Sequence, residues 1–597
     1  IIVGDDVSTD RTKEIKTVIK NITVIRNSEN LKFVRNNNNA ARYAKGEFLL
    51  FLNNDTQVHK NWLKPLVEVF KSYKNVGIVG SKLVYPDSKL QEAGGIIWND
   101  GSGWNYGRYD NPEKPEYNYV RETDYVSGAC LMIQTGLWKQ LNGFDEHFAP
   151  AYYEDTDLAF RARKAGFRVM YQPQSVVTHF EGISNGKELT EGVKKYQVQN
   201  AKKFRERWRE ILQEENFTNG KDVFLAKDRS KNKKQVLVID HYVPHFDQDA
   251  GSRSTYSYIL LFLKMGCKVT FIGDNFYKHE PYTSILQQKG VEVLYGNDYC
   301  QNIHQWLKEN GQFFTHVFLH RMHIAPKYLD TIKKHSTAKL IYIGHDLQFI
   351  SSSRKYKLTK DPGHLTDSKK FKTIETRLFN AVDVICPFSS YEAPFIQEIV
   401  PHKQVVTLPV YFFEKVYENT PGFDQRKDIL FVGGFAHPPN KDAVLWFVNE
   451  VFPLIKKELR DVKLHVVGSK PPAEVKALAN DNIYVTGFVP DDELERYYQT
   501  CRVSVIPLRY GAGVKGKLIE TCYYQLPPVI SPVAAEGIPD IEKYCIIEEK
   551  PEEYAKKVVN LYVNKERWNH WQKKCKELVK LNFTEEATRH LLQKILL

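Results

Sequence analysis

Apolar runs short enough for strands alternate with segments of helical spacing along almost the whole chain. The run "FLLFL" at 48–52 stops abruptly at Asn53, Asn54 and Asp55. "QVLVID" from Gln235 leads through a glycine-bearing loop, "DQDAGSRST", into "YSYILLFLKMG", whose apolar residues recur at helical intervals, and then into the strand-like "KVTFIG". "DILFVGGFAHPPNKDAVLWFVNEVFPLIKKE" from Asp428 repeats the order strand, glycine-rich turn, amphipathic helix. This alternation predicts an α/β protein of parallel sheets covered by helices. Between Ile211 and Lys234 the periodicity lapses into a polar, lysine-rich stretch, which predicts a linker at 216–234 after a first unit spanning 1–215.

At 597 residues the chain exceeds what one core supports. Its 42% hydrophobic and 26% charged residues are ordinary for a folded protein and exclude extensive disorder. No run approaches the roughly 18 uninterrupted apolar residues of a membrane span. The opening "IIVGDDVSTD" reads as strand and turn, with neither a cleavable signal pattern nor an initiating methionine, so an upstream segment is expected. Eight cysteines lack the paired spacing of disulfide or metal frameworks, which points to reduced thiols and a cytoplasmic location. The net charge of +12 suits anionic nucleotides, nucleic acid or an acidic membrane face, and the lack of an aromatic-basic stripe argues against nucleic acid.

Carboxylates change the picture further. Asp5 and Asp6 end one strand-like run, and Asn53, Asn54 and Asp55 end another. "FDEHFAPAYYEDTDLAFRARKAG" supplies Glu154, Asp155 and Asp157 ahead of a helix, and "VVTHFEG" puts His179 after a strand. Asp157 is the better helix cap, which would leave Asp155 free for chemistry. Asp55 with His179 could hold a divalent cation that neutralises a diphosphate, although a strand-ending turn explains Asp55 alone, and a lone histidine is more often packed than ligating. Downstream, "GAGVKGKLIE" brings Lys515 and Lys517 to the start of a helix carrying Glu520, so free N–H groups, the helix dipole and two ammonium groups converge on an anion-sized spot. It is not a P-loop, because Leu518 stands where a hydroxyl is required.

"VGDDVSTDRT", "GEFLLFLNNDTQV", "VSGACLMI", "GFDEHFAPAYYEDTDLAFRARKAGFRVMYQP" and "VVTH", in that order, resemble the landmarks of family 2 glycosyltransferases, particularly the rhamnosyltransferase-like branch. The resemblance implies a GT-A fold, whose first strand would precede residue 1, and inverting transfer from a nucleotide sugar. It implies that Asp5 and Asp6 lie near the nucleotide, that Asn53, Asn54 and Asp55 form a variant Asp-X-Asp motif, and that Asp155, beside Glu154, is the general base. Asp55 and His179 would contact a divalent cation, Mn or Mg. Two positions depart from the pattern: the first carboxylate of Asp-X-Asp is Asn53, and the glycine of the usual Asn-X-Gly-Phe turn is Lys32.

From Gln235 the chain resembles family 4 glycosyltransferases, whose GT-B fold has two Rossmann-like halves, expected here at 235–412 on the acceptor side and 413–597 on the donor side. The resemblance implies donor contacts from Gly251, Gly433, Lys441, Gly513, Lys515, Lys517 and Glu520, with the lysines on phosphate and Glu520 on ribose, and an active-site contact from His345. Such enzymes are retaining and use no metal. Ala512 replaces the first member of the usual Glu-X7-Glu pair, and Gly434 replaces the arginine after the strand glycine.

The expectation is a bifunctional glycosyltransferase building a surface polysaccharide or O-antigen type glycan. Nucleotide-sugar donors and a glycan or lipid-linked glycan acceptor are its expected partners, nucleic acid is not, and contact with the inner face of the membrane is an option. Two alternatives stay open: one half is catalytic and the other a docking or glycan-binding module, or the whole is a glycan-binding scaffold without turnover.

Overall fold

The computed structural model describes residues 1–180, 195–511 and 513–597. Its packing divides the chain into two units, Ile1–Val236 with Gly266–Phe314, and Leu237–Met265 with Thr315–Leu597. Among the described residues no helix is long and apolar enough to cross a membrane. All eight cysteines are unpaired, and all but Cys300 are buried.

In the first unit, Ile2–Asp5 and Thr23–Arg26 pair in parallel. The principal sheet is mixed, with Phe48–Leu52, Cys130–Gln134, Val76–Val84, Arg168–His179 and Thr56–Val58 side by side in that order. Cys130–Gln134 runs antiparallel to both of its neighbours, whereas Arg168–His179 is parallel to Val76–Val84 and antiparallel to Thr56–Val58. The strand that delivers Asn53, Asn54 and Asp55 therefore has an antiparallel neighbour, where helix and strand alternation predicts a parallel one. Periodicity reports burial, and a strand covered on both faces reads the same whichever way it runs.

Side-chain alternation builds two cores. Val76, Val79, Cys130 and Met132 pack on one face with Leu66 and Val69 of the helix Leu63–Ser72. Ile78, Leu131 and Ile133 pack on the other with Leu158 and Phe160 of Glu154–Lys164 and with Phe204 and Trp208 of the helix Lys195–Glu215. The polar stretch 216–234 contains the short helix Val223–Ala226 and buries Phe224, Lys227 and Asp228. Lys227 pairs with Glu292 at 2.6 Å and Asp228 with Lys268 at 3.1 Å, so charges that read as solvated are partly spent in buried ion pairs.

In the second unit, Gln235–Asp240, His316–His320, Lys339–Gly344, Val384–Pro387 and Gln404–Val405 follow one another across a sheet, with parallel pairing from His316–His320 onward. A six-stranded parallel sheet follows, ordered Ile483–Val485, Leu464–Val467, Ile429–Val432, Val503–Ile506, Pro528–Ile530 and Ile546–Ile547. Two glycines set the spacing where its central strands end. Gly433 N–H donates to Val467 O at 2.9 Å, and a Cβ on Gly468 would stand 2.0 Å from Gly433 O.

Gly468→Ala forces that backbone apart, and overpacking of this kind costs about 1–3 kcal/mol. The expected outcome is a lowered midpoint in thermal unfolding of the full chain. Gly434→Ala, whose added methyl would meet Ser469 Oγ at an ordinary 3.5 Å, should change the midpoint little.

Candidate functional site

A cleft of ≈ 1530 Å³ in the first unit is lined by Asp6, Asn53, Asn54, Asp55, Glu154, Asp155 and His179, drawn from four separate stretches of sequence. Asp5 is not among them. Its carboxylate is 1% exposed, ion-paired with Arg26, and accepts Ser8 N–H at 2.9 Å. Burial alone would raise its pKa, but the Ser8 hydrogen bonds and Arg26 hold it below the ordinary carboxylate range. Of the two adjacent aspartates, one thus fastens the strand and the other reaches the cleft.

Asp6 accepts Leu31 N–H at 2.7 Å, Lys32 N–H at 2.8 Å and Asn27 Nδ2 at 2.8 Å, fixing the turn on which Lys32 sits at φ +62°. That left-handed backbone is why a glycine would suit position 32. Asn53 N–H donates to Ala129 O at 3.0 Å, and Thr56 Oγ1 donates to Asn53 O at 2.6 Å.

The ladder between Thr56–Val58 and Arg168–His179 sets His179 opposite Thr56, and His179 Nε2 lies 3.3 Å from Asp55 Oδ1. Gln91, on Leu90–Glu92, places Oε1 3.1 Å from His179 Nδ1. An amide oxygen accepts, so Nδ1 donates, which leaves Nε2 to face the Asp55 carboxylate. An imidazole nitrogen and a carboxylate oxygen meeting in a polar cleft are a donor pair of the kind that holds a divalent cation.

Glu154 and Asp155 open the helix Glu154–Lys164 directly after Tyr152 and Tyr153, at φ +76° and +71°. Two consecutive left-handed tyrosines cost roughly 1–2 kcal/mol each. Asn200, fully buried, braces them by donating Nδ2 to Phe148 O at 2.7 Å and to Ala151 O and Tyr152 O at 3.0 Å. Glu154 is 5% exposed with Oε2 unpartnered, and burial, with the Asp155 charge next, pushes its pKa well up. Burial also raises Asp155, although Gly128 N–H at 2.9 Å and Thr156 N–H at 2.7 Å favour its anion. Asp157 is not the helix cap that the sequence suggests. Its fully buried carboxylate instead accepts from Arg161 Nε at 2.6 Å and from Arg207 Nη1 and Trp208 Nε1 at 3.0 Å.

In the second unit the glycine-rich loop enters the helix Gly516–Tyr523, with Gly513 at φ +74°; Ala512 lies outside the described residues. Lys517 Nζ donates to Asn440 Oδ1 and Lys515 Nζ to Gly513 O, each at 2.5 Å. Burial and the nearby Lys515 pull Lys517 down to about 7. Burial lowers Lys515 as well, and His437 falls through burial and the charges of Lys517 and Lys515. Cations crowded this way await an anion. Asn440 also donates to Gly434 O at 2.7 Å, and a Cβ on Gly433 would stand 2.9 Å from Asn440 Cγ, so the glycine makes room for the amide.

Lys441 does not join this group. It pairs with Glu474 at 2.7 Å, because successive residues of a helix diverge by about 100° and Asn440 already faces Lys517. Glu520 lies 3.4 Å from Arg253 Nη1, and burial raises its pKa. Gly251, in the first turn of Ala250–Lys264, leaves space beside His345, whose Cε1 would be 3.5 Å from an added Cβ. Asp346, next to His345, reaches the glycine loop, its Oδ1 3.1 Å from the Cβ position of Gly513.

Sequence reasoning missed Gln91, Asn200 and Asn440. Only Asn440 carried a signal, standing directly after two prolines at a helix start.

Residues 1–139 match the family model described as Glycosyl transferase family 2, and residues 426–564 match Glycosyl transferases group 1. The chain is 35% identical over 156 residues to the O-antigen biosynthesis protein RfbC of Myxococcus xanthus, covering 25% of this chain and 12% of that protein. It is 26% identical over 153 residues to an N-acetylglucosaminyl-diphospho-decaprenol L-rhamnosyltransferase of Mycobacterium tuberculosis, covering 24% of this chain and 50% of that one. It thus spans half or less of the length of these curated relatives. The solved sucrose-phosphate synthase of Thermosynechococcus elongatus aligns with 61% of this chain and 98% of its own at 14% identity and a TM-score of 0.45. The chain thus joins a segment that matches glycosyl transferase family 2, residues 1–139, to one that matches the group 1 glycosyl transferases, residues 426–564.

Proposed function

We propose that the chain transfers sugars from nucleotide-sugar donors at two sites, an inverting one in the first unit and a retaining one in the second. The acceptor is a growing glycan or lipid-linked glycan of the polysaccharide or O-antigen type, a direction supported by the names of the relatives. The observation that carries the reading is the convergence of Asp6, Asp55, His179 and Asp155 on one cleft. The functional domains are 1–215, 235–412 and 413–597, and the site of action is cytoplasmic.

In the first site Asp155 takes the acceptor hydroxyl proton. Burial makes it a stronger base than an exposed aspartate, and the Gly128 and Thr156 N–H groups fix its orientation. Glu154, kept protonated by burial, adds no second negative charge beside it. Asp55 and His179 would hold a Mn or Mg ion, which when bound stabilises the departing nucleoside diphosphate. In the second site Lys515, Lys517 and the N-terminus of Gly516–Tyr523 receive the donor diphosphate, Glu520 takes the ribose hydroxyls, and no metal is required.

Asp155→Asn should lower one linkage by at least about 100-fold and spare the other, and Lys517→Ala should do the reverse, read by product linkage analysis. Equal loss of both linkages in each variant would rule out independent sites. Nucleotide sugars should raise the thermal midpoint, with a component that needs Mn and disappears with Asp55→Ala.

Lys517 supplies a pH test. It loses its proton near pH 7 in the folded chain and near its ordinary 10.5 when unfolded, so between those values the unfolded chain binds more protons and stability rises with pH. The stability advantage of Lys517→Met over the parent should be largest at pH 7 and below and shrink as pH climbs toward 10, measured by urea midpoints.

A further inference from the structure

Behind His345 the second unit holds a buried polar cluster to which none of the roles above assigns a function. Asp240 and His320, ending the neighbouring strands Gln235–Asp240 and His316–His320, are 3% and 4% exposed. Asp240 accepts from Arg321 Nε at 2.7 Å, from its neighbour His241 N–H at 2.7 Å and from Thr255 Oγ1 at 2.8 Å. Arg321 holds a left-handed backbone, φ +61°, to make that pair. His320 Nδ1 then lies 3.7 Å from Asp240 Oδ2 and 3.2 Å from His345 Nε2.

One proton serves the contact between the two imidazoles. Burial holds both rings neutral at physiological pH, His320 at about 4 and His345 at about 3. Were the shared proton on His345 Nε2, the bare lone pair of His320 Nδ1 would face the Asp240 carboxylate. On His320 Nδ1 the proton is attracted by that carboxylate, and at this depth the electrostatic difference decides the tautomer. Asp240, His320 and His345 lie close enough together to hold a metal ion. Yet the guanidinium of Arg321 already occupies Asp240 and would repel one.

We propose that His320 is a positioning residue: oriented by Asp240, its Nδ1–H donates to Nε2 of His345, so that His345 carries its own proton on Nδ1 and meets its ligand as a neutral hydrogen-bond donor, not as a base. The ligand group is an oxygen acceptor of the nucleotide sugar, a phosphoryl or hydroxyl oxygen, and this identification rests on the donor-site reading given above. The tautomer itself does not depend on that reading.

The test uses the full chain with ring-¹⁵N-labelled histidine, His345 being assigned by difference from His345→Gln. The expected spectrum shows His345 protonated at Nδ1 and bare at Nε2 from pH 6 to 8. His320→Asn, whose amide nitrogen replaces Nδ1–H, should keep that spectrum and hold kcat for the second linkage within about threefold. His320→Leu should mix the tautomers and lower kcat by about 10–100-fold, the range for groups that orient an active-site histidine, with KM little changed. A proton on His345 Nε2, equal kcat in the Asn and Leu variants, or a stoichiometric transition metal lost in His320→Leu would each overturn the proposal. If the parent chain consumes no nucleotide sugar, the donor reading fails and the spectrum alone decides the tautomer. If His320→Leu does not fold, the parent spectrum and His320→Asn still decide it.

Discussion

Like charges pressed together where water is scarce are the constraint on which both sites depend. In the first unit Glu154 and Asp155 stand side by side at a buried helix start, and burial raises both. In the second, Lys515 and Lys517 gather at a loop, and burial lowers both. The signs are opposite and the physics is shared: each cluster holds groups whose charged forms the fold disfavours and a ligand of suitable charge or proton demand would favour. Such an arrangement lowers the stability of the empty protein, and ligand binding returns what was lost.

Holding these groups in place takes structure without charge of its own. The antiparallel ladder that sets His179 opposite Thr56 brings Asp55 and His179 to one point from positions far apart in sequence. Asn200 spends its amide on three carbonyls of the turn before Glu154, offsetting two left-handed tyrosines. Gly433 and Gly468 let strand ends approach until no methyl fits between them, which seats Asn440 against Lys517.

Much of this was legible in the sequence. Periodicity gave the α/β class, and the strand-ending polar residues Asp6, Asn53, Asn54, Asp55 and His179 do meet in the cleft. Adjacent residues were harder to tell apart. Asp5 and Asp6 differ only in which side of a strand they leave, and Lys441 and Asn440 only in their angle around a helix, so local pattern cannot say which one faces the site. Strand direction was hidden because burial looks alike in parallel and antiparallel strands. Gln91, Asn200 and His320 act through other side chains across long sequence separations, and no spacing rule marks such partners.

The stretch 216–234 has a practical consequence for dissecting the molecule. Composition suggests cutting there, and a fragment beginning at residue 235 would discard Lys227 and Asp228 while keeping their partners Glu292 and Lys268. Each cut ion pair would leave a lone charge inside apolar surroundings, a state that favours aggregation or rearrangement over clean autonomy. Truncations designed from hydropathy alone would therefore misjudge where this polypeptide comes apart, since its seam follows electrostatic partnership and not the lapse in periodicity.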